Sequence, residues 1–495
     1  MRLPALRLAA LGAAVLLSGC ARREASWLRD DVGPQPAAAG GVTFTPCTEP
    51  WAPPGAECGV LEVLENPAQP GGRVLELSIL RVRASGTAPA KGALFELPGG
   101  PGQSSRESSQ WMVQAFAPVR GEWDLVFVDP RGTGASGALD CSLYVPSDPQ
   151  SYLGDFFPAE GVERCRKELE PRADLTRYSS PYVAEDLEAV RRALGYSKVT
   201  LFAGSYGTRI ALAYLRRYSE HVHAAILHGV VPPYMATPLP FARDTEEALS
   251  AWVAACAADK ACSEVTPALG ADITALIASL DKAPATATLS LPEGGTATVR
   301  ISRDLFGQTM RALLYSPDRA AMIPALVRRA KDGDFALLAK LAYANRKGFS
   351  AQGVFFSHTC AEDVWRIREE DVPGATAGTL LGEGRVRQQM RTCRQWPRGG
   401  LPEDFDGPVK GNAPVLLVTG EWDPATPPRW TDSALRLLPG ATKVIVPFAA
   451  HGFQASAEQC IGELLLGFIR QPEKAPDTSC VARLEREPFR LTLEP

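Results

Sequence analysis

Histidine is scarce in this 495-residue chain, which holds only five: His221, His223, His228, His358 and His451. Any chemistry that needs an imidazole base must draw on these. No two cysteines form a C-x-x-C pair and none joins a histidine cluster of zinc spacing, so the usual pattern of a structural zinc site is missing. Also missing are the G-K-[ST] ending of a P-loop and the spacing of a dinucleotide fingerprint, which removes a nucleotide reading of the glycine-rich run Pro98-Gly-Gly-Pro-Gly102. Past the N-terminus, no uninterrupted apolar stretch approaches the roughly 20 residues of a membrane-spanning helix. Nor is there an excess of positive charge: 52 Lys and Arg against 56 Asp and Glu give a net charge of −4, which argues against nucleic-acid binding or a polybasic membrane contact. No internal repeat and no long low-complexity run is present. Nothing in the composition implies a metal or an organic cofactor.

What is present is a sharp local signal. In Val199-Thr-Leu-Phe-Ala-Gly-Ser205-Tyr-Gly207-Thr-Arg-Ile-Ala-Leu-Ala-Tyr-Leu215 a short β-type run breaks at small residues and a helical pattern begins at once. Strand, tight turn and helix with a serine at the apex describe a nucleophile elbow, usually written G-x-S-x-G; Ala203 stands here for the first glycine. A serine hydroxyl is a weak nucleophile at neutral pH and needs a base, which in turn needs an orienting acid. In elbows of this kind the order is Ser, then Asp or Glu, then His. His221, His223 and His228 follow Ser205 too closely to leave room for an acid strand, and His358 lies in a helical pattern. His451 follows the strand-like Lys443-Val-Ile-Val, and Asp423 lies just past the strand-like Pro414-Val-Leu-Leu-Val. Functional residues of open α/β sheets collect at such strand ends. Ser205, Asp423 and His451 therefore form the candidate triad. The loop Gly99-Gly100-Pro101-Gly102 follows another strand-like run, Leu94 to Leu97, where one oxyanion N–H is supplied, the other coming from the residue after the nucleophile; Gly100 and Tyr206 are the candidates.

The set Pro98-Gly-Gly-Pro-Gly102, Asp129-Pro-Arg-Gly-Thr-Gly134, Gly204-Ser-Tyr-Gly-Thr208, Asp423 and His451-Gly452 resembles the α/β-hydrolase serine aminopeptidases. These are the proline iminopeptidases and, more closely, the exported tripeptidyl-aminopeptidase-like enzymes of bacteria. The resemblance runs from about residue 57 to the C-terminus and is weakest in the middle. It implies an α/β-hydrolase fold, a mostly parallel sheet with helices on both faces, and the roles just given to Ser205, Asp423, His451, Gly100 and Tyr206. Two positions depart from the family pattern: Pro98 where a histidine usually precedes Gly-Gly-Pro-Gly, and His228 where the family commonly has aspartate.

The N-terminus speaks of export. Met1 to Arg7 is a short basic region, Leu8 to Leu17 an apolar one, and Leu17-Ser-Gly-Cys20 resembles a bacterial lipobox. Residues 1–19 are expected to be a signal peptide and Cys20 the lipidation site, with residues 20–45 a tether rich in Ala, Gly and Pro. The lipid would be the sole membrane contact of an extracytoplasmic protein. Setting Cys20 aside, ten of the eleven cysteines remain. They fall in sequential pairs, Cys47 with Cys58, Cys141 with Cys165, Cys256 with Cys262, Cys360 with Cys393, and Cys460 with Cys480. Five bridges in that pairing are expected, although sequence alone does not fix connectivity.

From residue 46 to 231 strands alternate with helices, the signature of the first part of an α/β core. Val60 to Leu64 and Val74 to Arg83 read as opening antiparallel strands. Residues 232–408 break the rhythm with helical patterns at Thr245 to Asp259, Ala271 to Leu280 and Ala320 to Ala344, and read as an inserted cap with one small hairpin turning at Glu293-Gly-Gly. Residues 409–495 complete the core. The charged pair of Asp129-Pro-Arg131 reads as structural rather than catalytic.

The expected substrates are peptides. An enzyme that trims peptide N-termini must recognise a free ammonium, so carboxylates should face the site from the cap; Glu362 and Asp363, pinned by Cys360, are the candidates. A small-ester esterase using the same triad is the alternative, and a surface lipoprotein that only binds is a third reading, disfavoured by the complete triad and oxyanion loop. Oligomeric state is not legible.

Overall fold

The computed structural model describes residues 32–36 and 41–493. The expected signal peptide, Cys20 and most of the tether lie outside the described residues. Seven strands come before the insertion: β1 (Thr45–Pro46), β2 (Glu57–Leu64), β3 (Val74–Val82), β4 (Gly92–Leu97), β5 (Trp123–Val128), β6 (Val199–Gly204) and β7 (Val222–His228). A hairpin of β8 (Ala285–Ser290) and β9 (Thr296–Ile301) stands apart within the insertion, and β10 (Val415–Gly420) and β11 (Thr442–Val446) follow it. Nine of these form one sheet in the order β1-β2-β3-β5-β4-β6-β7-β10-β11. The pairs from β1 to β5 across β2 and β3 are antiparallel, and every pair from β5 to β11 is parallel.

The burial of each strand explains its sequence. β4, β5 and β10 are buried at every position, as strands covered by helices on both faces must be, and they are mostly apolar, with Glu96, Asp124 and Thr419 as the polar exceptions. β2 alternates toward the edge and keeps exposed positions. On one face the helices Ser180–Ala193 and Gly207–Tyr218 cover Leu201, Ala225 and Leu417. On the other, Ser105–Ala115 and Glu458–Arg470 cover Leu94, Phe127, Ile226 and Leu416. This is the α/β-hydrolase architecture, with the triad candidates at the C-terminal ends of β6, β10 and β11.

The insertion between β7 and β10 is mainly helical and has its own core around Trp252, Phe306, Met310, Leu326 and Leu338. One element differs from the sequence reading. The helical pattern over 320–344 is split into Ile323–Lys331 and Ala336–Lys347. Gly333 turns the chain there with φ of +85°, a conformation glycine adopts without strain, and the Asp334 carboxylate accepts the Ala336 N–H to start the next helix. The hairpin does turn at Gly294 and Gly295, both at positive φ.

Five disulfides join Cys47–Cys58, Cys141–Cys165, Cys256–Cys262, Cys360–Cys393 and Cys460–Cys480, the sequential pairing expected. Such a set belongs to proteins matured in an oxidising, extracytoplasmic compartment. Among the described residues, no helix is long and apolar enough to cross a membrane.

Candidate active site

The elbow is built by close approach of two backbones. A Cβ at Gly207 would stand 2.2 Å from the carbonyl oxygen of Leu97, so only glycine lets the helix start against β4. Ala203 is fully buried in β6 and fits where the usual pattern has glycine. Ser205 sits at φ of +53°, a region L-residues rarely occupy and one stored at functional turns. It is held there by its N–H donating to the His228 carbonyl at 2.8 Å and by the Thr208 hydroxyl donating to its own carbonyl at 2.6 Å.

Past β10 and β11 the other two candidates meet. His451 Nδ1 lies 2.7 Å from Asp423 Oδ2, which fixes the imidazole with Nε2 left for a second partner. The other oxygen, Oδ1, accepts the N–H groups of Ala425 and Thr426 at 2.7 and 2.9 Å, and the Thr426 hydroxyl donates to Oδ2 at 2.7 Å. Burial would raise the Asp423 pKa, but His451 and these donors outweigh it and hold the carboxyl down at about 2. Thr426 was missed by the sequence reading; an acid followed three residues later by threonine at a strand end was the available signal. Among the described residues no hydrogen bond joins Ser205 to His451, a contact that in such sites often tightens only when substrate is bound. The insertion reaches the base directly: the Tyr315 ring meets that of His451 edge-on at 4.9 Å, and Gly452 N–H donates to the Tyr315 carbonyl at 2.9 Å.

The glycine loop leans on the nucleophile. A Cβ at Gly99 would be 3.0 Å from the Ser205 Cβ, and Gly100 takes φ of +107°. Gly100, Ser205 and Tyr206 line one cavity of about 100 Å³. Among the described residues no protein acceptor takes the N–H of Gly100 or Tyr206, so both donors are available to an oxyanion. Asp129 braces this loop. Its carboxylate accepts the Ser104 hydroxyl at 2.6 Å, the Arg106 N–H at 3.0 Å and the Ala135 N–H at 2.9 Å. Arg131 is buried in an ion pair with Asp186 at 2.7 Å, a structural role.

Glu96, beside Asp129 on β4, is buried and accepts the Ser105 hydroxyl. Burial, helped by the Asp129 charge, pushes its pKa up to about 8. The folded state therefore holds a proton that the unfolded chain releases near pH 4.5, so stability is lost as pH rises from there to about 8 and levels off above. Glu96→Gln keeps the shape and removes the proton. Its stability relative to wild type should rise by up to about 1.4 kcal/mol per pH unit across that window, then stop rising. Urea titrations of both proteins at pH 5, 7 and 9 check this, and a difference independent of pH would contradict it.

Two expected substrate ligands need correction. Glu362 and Asp363 do not face the cavity; both are completely buried behind it. Glu362 accepts the Ser180 N–H at 2.6 Å, the Ser180 hydroxyl at 3.0 Å and the Tyr206 hydroxyl at 2.9 Å. Asp363 accepts Arg209 Nη1 at 2.6 Å and the Thr237 hydroxyl at 2.7 Å. Arg209, in the first turn of the elbow helix, pairs with both, and neither buried carboxylate is open to an ammonium. Their work is to lock the elbow helix to the insertion. His358 is a core residue: burial drives its pKa down to about 3, and its Nδ1 pairs with the Val354 carbonyl at 3.1 Å. His228, at the position where an aspartate was the family expectation, is held neutral at about 4 by burial and by His451, and stacks on Phe453 at 4.5 Å.

Comparison with known proteins agrees with this fold. Residues 92–272 match the family described as alpha/beta hydrolase fold, and residues 379–480 the family described as TAP-like protein. The chain has the α/β-hydrolase fold. Within it, this protein is a serine hydrolase whose C-terminal part is TAP-like. It is 27% identical to serine protease Hip1 of Mycobacterium tuberculosis, over 93% of this chain and 94% of that protein. It is 30% identical to a tripeptidyl aminopeptidase of Streptomyces lividans, over 42% of each chain. Carboxylesterase B of Mycobacterium tuberculosis is 27% identical over 84% of each.

Proposed function

We propose that the protein is an exported, lipid-anchored serine aminopeptidase that releases residues or short peptides from peptide N-termini through an acyl-enzyme. Ser205 Oγ attacks the carbonyl carbon while His451 Nε2 takes its proton and Asp423 steadies the imidazolium. The oxyanion is met by the N–H groups of Gly100 and Tyr206. Collapse breaks the C–N bond as His451 returns the proton to the leaving amine, and water, deprotonated by the same histidine, hydrolyses the ester. Anchoring rests on Cys20 and export on the preceding signal.

The observation that carries the reading is the enclosed site. The cavity at Ser205 is about 100 Å³, and Tyr315 of the insertion packs on His451. A small, covered cavity suits a chain end and not the middle of a long peptide. The choice of the N-terminal end rests on the likeness to the tripeptidyl aminopeptidase and the protease. One relative named as a carboxylesterase favours a second reading, hydrolysis of small acyl esters with the same residues. Mass spectrometry of products from a defined peptide, free and N-acetylated, separates the two, with nitrophenyl butyrate run in parallel. Stepwise products from the free peptide, with the acetylated form cut at least tenfold more slowly, are expected. Equal cleavage of both forms, or turnover of the ester alone, would sink the aminopeptidase reading.

A further inference from the structure

The cavity at Ser205 holds positive charge that no described carboxylate neutralises. Arg311, on the helix Arg303–Leu313, and Arg385, on the helix Gly384–Gln395, line it together with Ser205. Nε and Nη2 of Arg311 and Nη1 of Arg385 are buried without a hydrogen-bond partner. Among the described residues neither guanidinium is in an ion pair, whereas Arg209 one layer below is bonded to two carboxylates. Arg346 adds a third cation nearby, and among the described residues its guanidinium bonds only a phenol and a backbone carbonyl, Tyr144 and Asp155. Burial, with the charges of Arg311 and Arg346, brings the Arg385 pKa down to about 9. Unpaired buried charge is costly, and proteins ordinarily pair it.

The arginines are also held in place. Arg385 lies over the rings of Phe156 and Phe157 at 4.1 and 4.5 Å, and Arg311 over Phe241 and Tyr315 at 4.2 and 4.8 Å. With their faces covered by rings, the N–H edges are the polar groups left over. The Cys360–Cys393 disulfide ties the Arg385 helix to the helix Gln352–Glu362, whose Phe355 and Thr359 line the same cavity. Gln389, one turn beyond Arg385, adds an Oε1 that is buried and unpartnered, an acceptor suited to a peptide N–H.

We propose that Arg311 and Arg385 form a carboxylate-binding subsite of the active site, so that the enzyme favours substrates with a carboxylate close to the scissile carbonyl. The proposal rests on the reading that Ser205 cleaves an acyl bond. Two planar guanidinium edges match a carboxylate, and the Gln389 acceptor matches the amide beside it. The carboxylate has two possible sources: an acidic side chain on the residue that contributes the carbonyl, or the α-carboxylate of a short leaving fragment. A free N-terminal ammonium is repelled by these cations and sits clear of their N–H edges.

Matched substrate pairs test this. Wild-type kcat/KM is measured on peptide anilides with Glu against Gln before the scissile bond, on short peptides with a free against an amidated C-terminus, and on the nitrophenyl monoester of glutarate against nitrophenyl butyrate. At least a tenfold preference for the charged member of one peptide pair is expected, and which pair shows it identifies the source. Arg385→Gln or Arg311→Gln should cut that preference at least fivefold. Because a ratio is read, a general loss of activity cancels. If a variant fails to fold, inhibition of wild type by glutarate at least fivefold stronger than by glutaramide serves in its place. Equal treatment of every pair, or a preference untouched by both substitutions, would overturn the proposal. If peptides are not cleaved at all, the peptidase reading falls while the ester pair still decides the subsite.

Discussion

Ser205→Ala and His451→Ala are each expected to lower turnover by about 10⁴-fold or more, and the double variant to be scarcely worse than either single one. The serine supplies the bond-forming oxygen and the histidine its proton acceptor, so losing one makes the other idle. Asp423→Asn should cost a comparable factor for a different reason. The carboxylate accepts from His451 Nδ1 at 2.7 Å while its other oxygen holds Ala425 and Thr426. An amide in its place can present N–H to the ring and favour the tautomer that keeps a proton on Nε2, where the serine needs a lone pair. Folding should survive the serine and histidine substitutions, since both residues are only half-buried. Steady-state kinetics on any cleaved peptide or ester check the set. Near-normal turnover by His451→Ala would move the base elsewhere.

Arg209→Met is expected to destabilise the protein by about 3–5 kcal/mol, the size of effect seen when one partner of a buried ion pair is removed. It would leave Glu362 and Asp363 completely buried without their cation. It would also free the carbonyls of Pro232 and Met235, which now accept from Arg209 Nη2 at 3.1 and 3.0 Å. Burial already pushes Asp363 up to about 6 with the arginine beside it. Without that arginine the carboxyl moves higher and takes a proton at mild acidity. A folded-state pKa above the unfolded value loses stability as pH rises, so the deficit should be greater at pH 8 than at pH 5. Urea midpoints at the two pH values measure this. A variant as stable as wild type but poor on free peptides would return these acids to the substrate site.

The comparison of sequence and structure turns on range. The placement of Ser205, Asp423 and His451 past strand ends was legible because the pattern of each strand is local. Sequential disulfides were legible for the same reason: the largest separation is 33 residues. Glu362 and Asp363 were misread because their partner, Arg209, lies 153 residues earlier, and nothing in an acidic pair on a helix reveals a buried cation across the interface. The arginines at the cavity were invisible for the converse reason. Arg311 and Arg385 look like ordinary charged residues of helical stretches until the insertion folds over Ser205 and leaves them, among the described residues, without carboxylates. The split of the long helical pattern at Gly333 shows how one glycine at positive φ outweighs good helix formers on both sides.

The central claim is that Ser205 becomes covalently acylated with His451 as its base. The most direct measurement is labelling by a fluorophosphonate, in which the serine oxygen bonds to phosphorus and fluoride leaves, followed by peptide mapping. A single adduct on Ser205 is predicted, formed rapidly by wild type, absent from Ser205→Ala and slowed by orders of magnitude in His451→Ala. An adduct on another residue, or labelling at the wild-type rate in His451→Ala, would contradict the account.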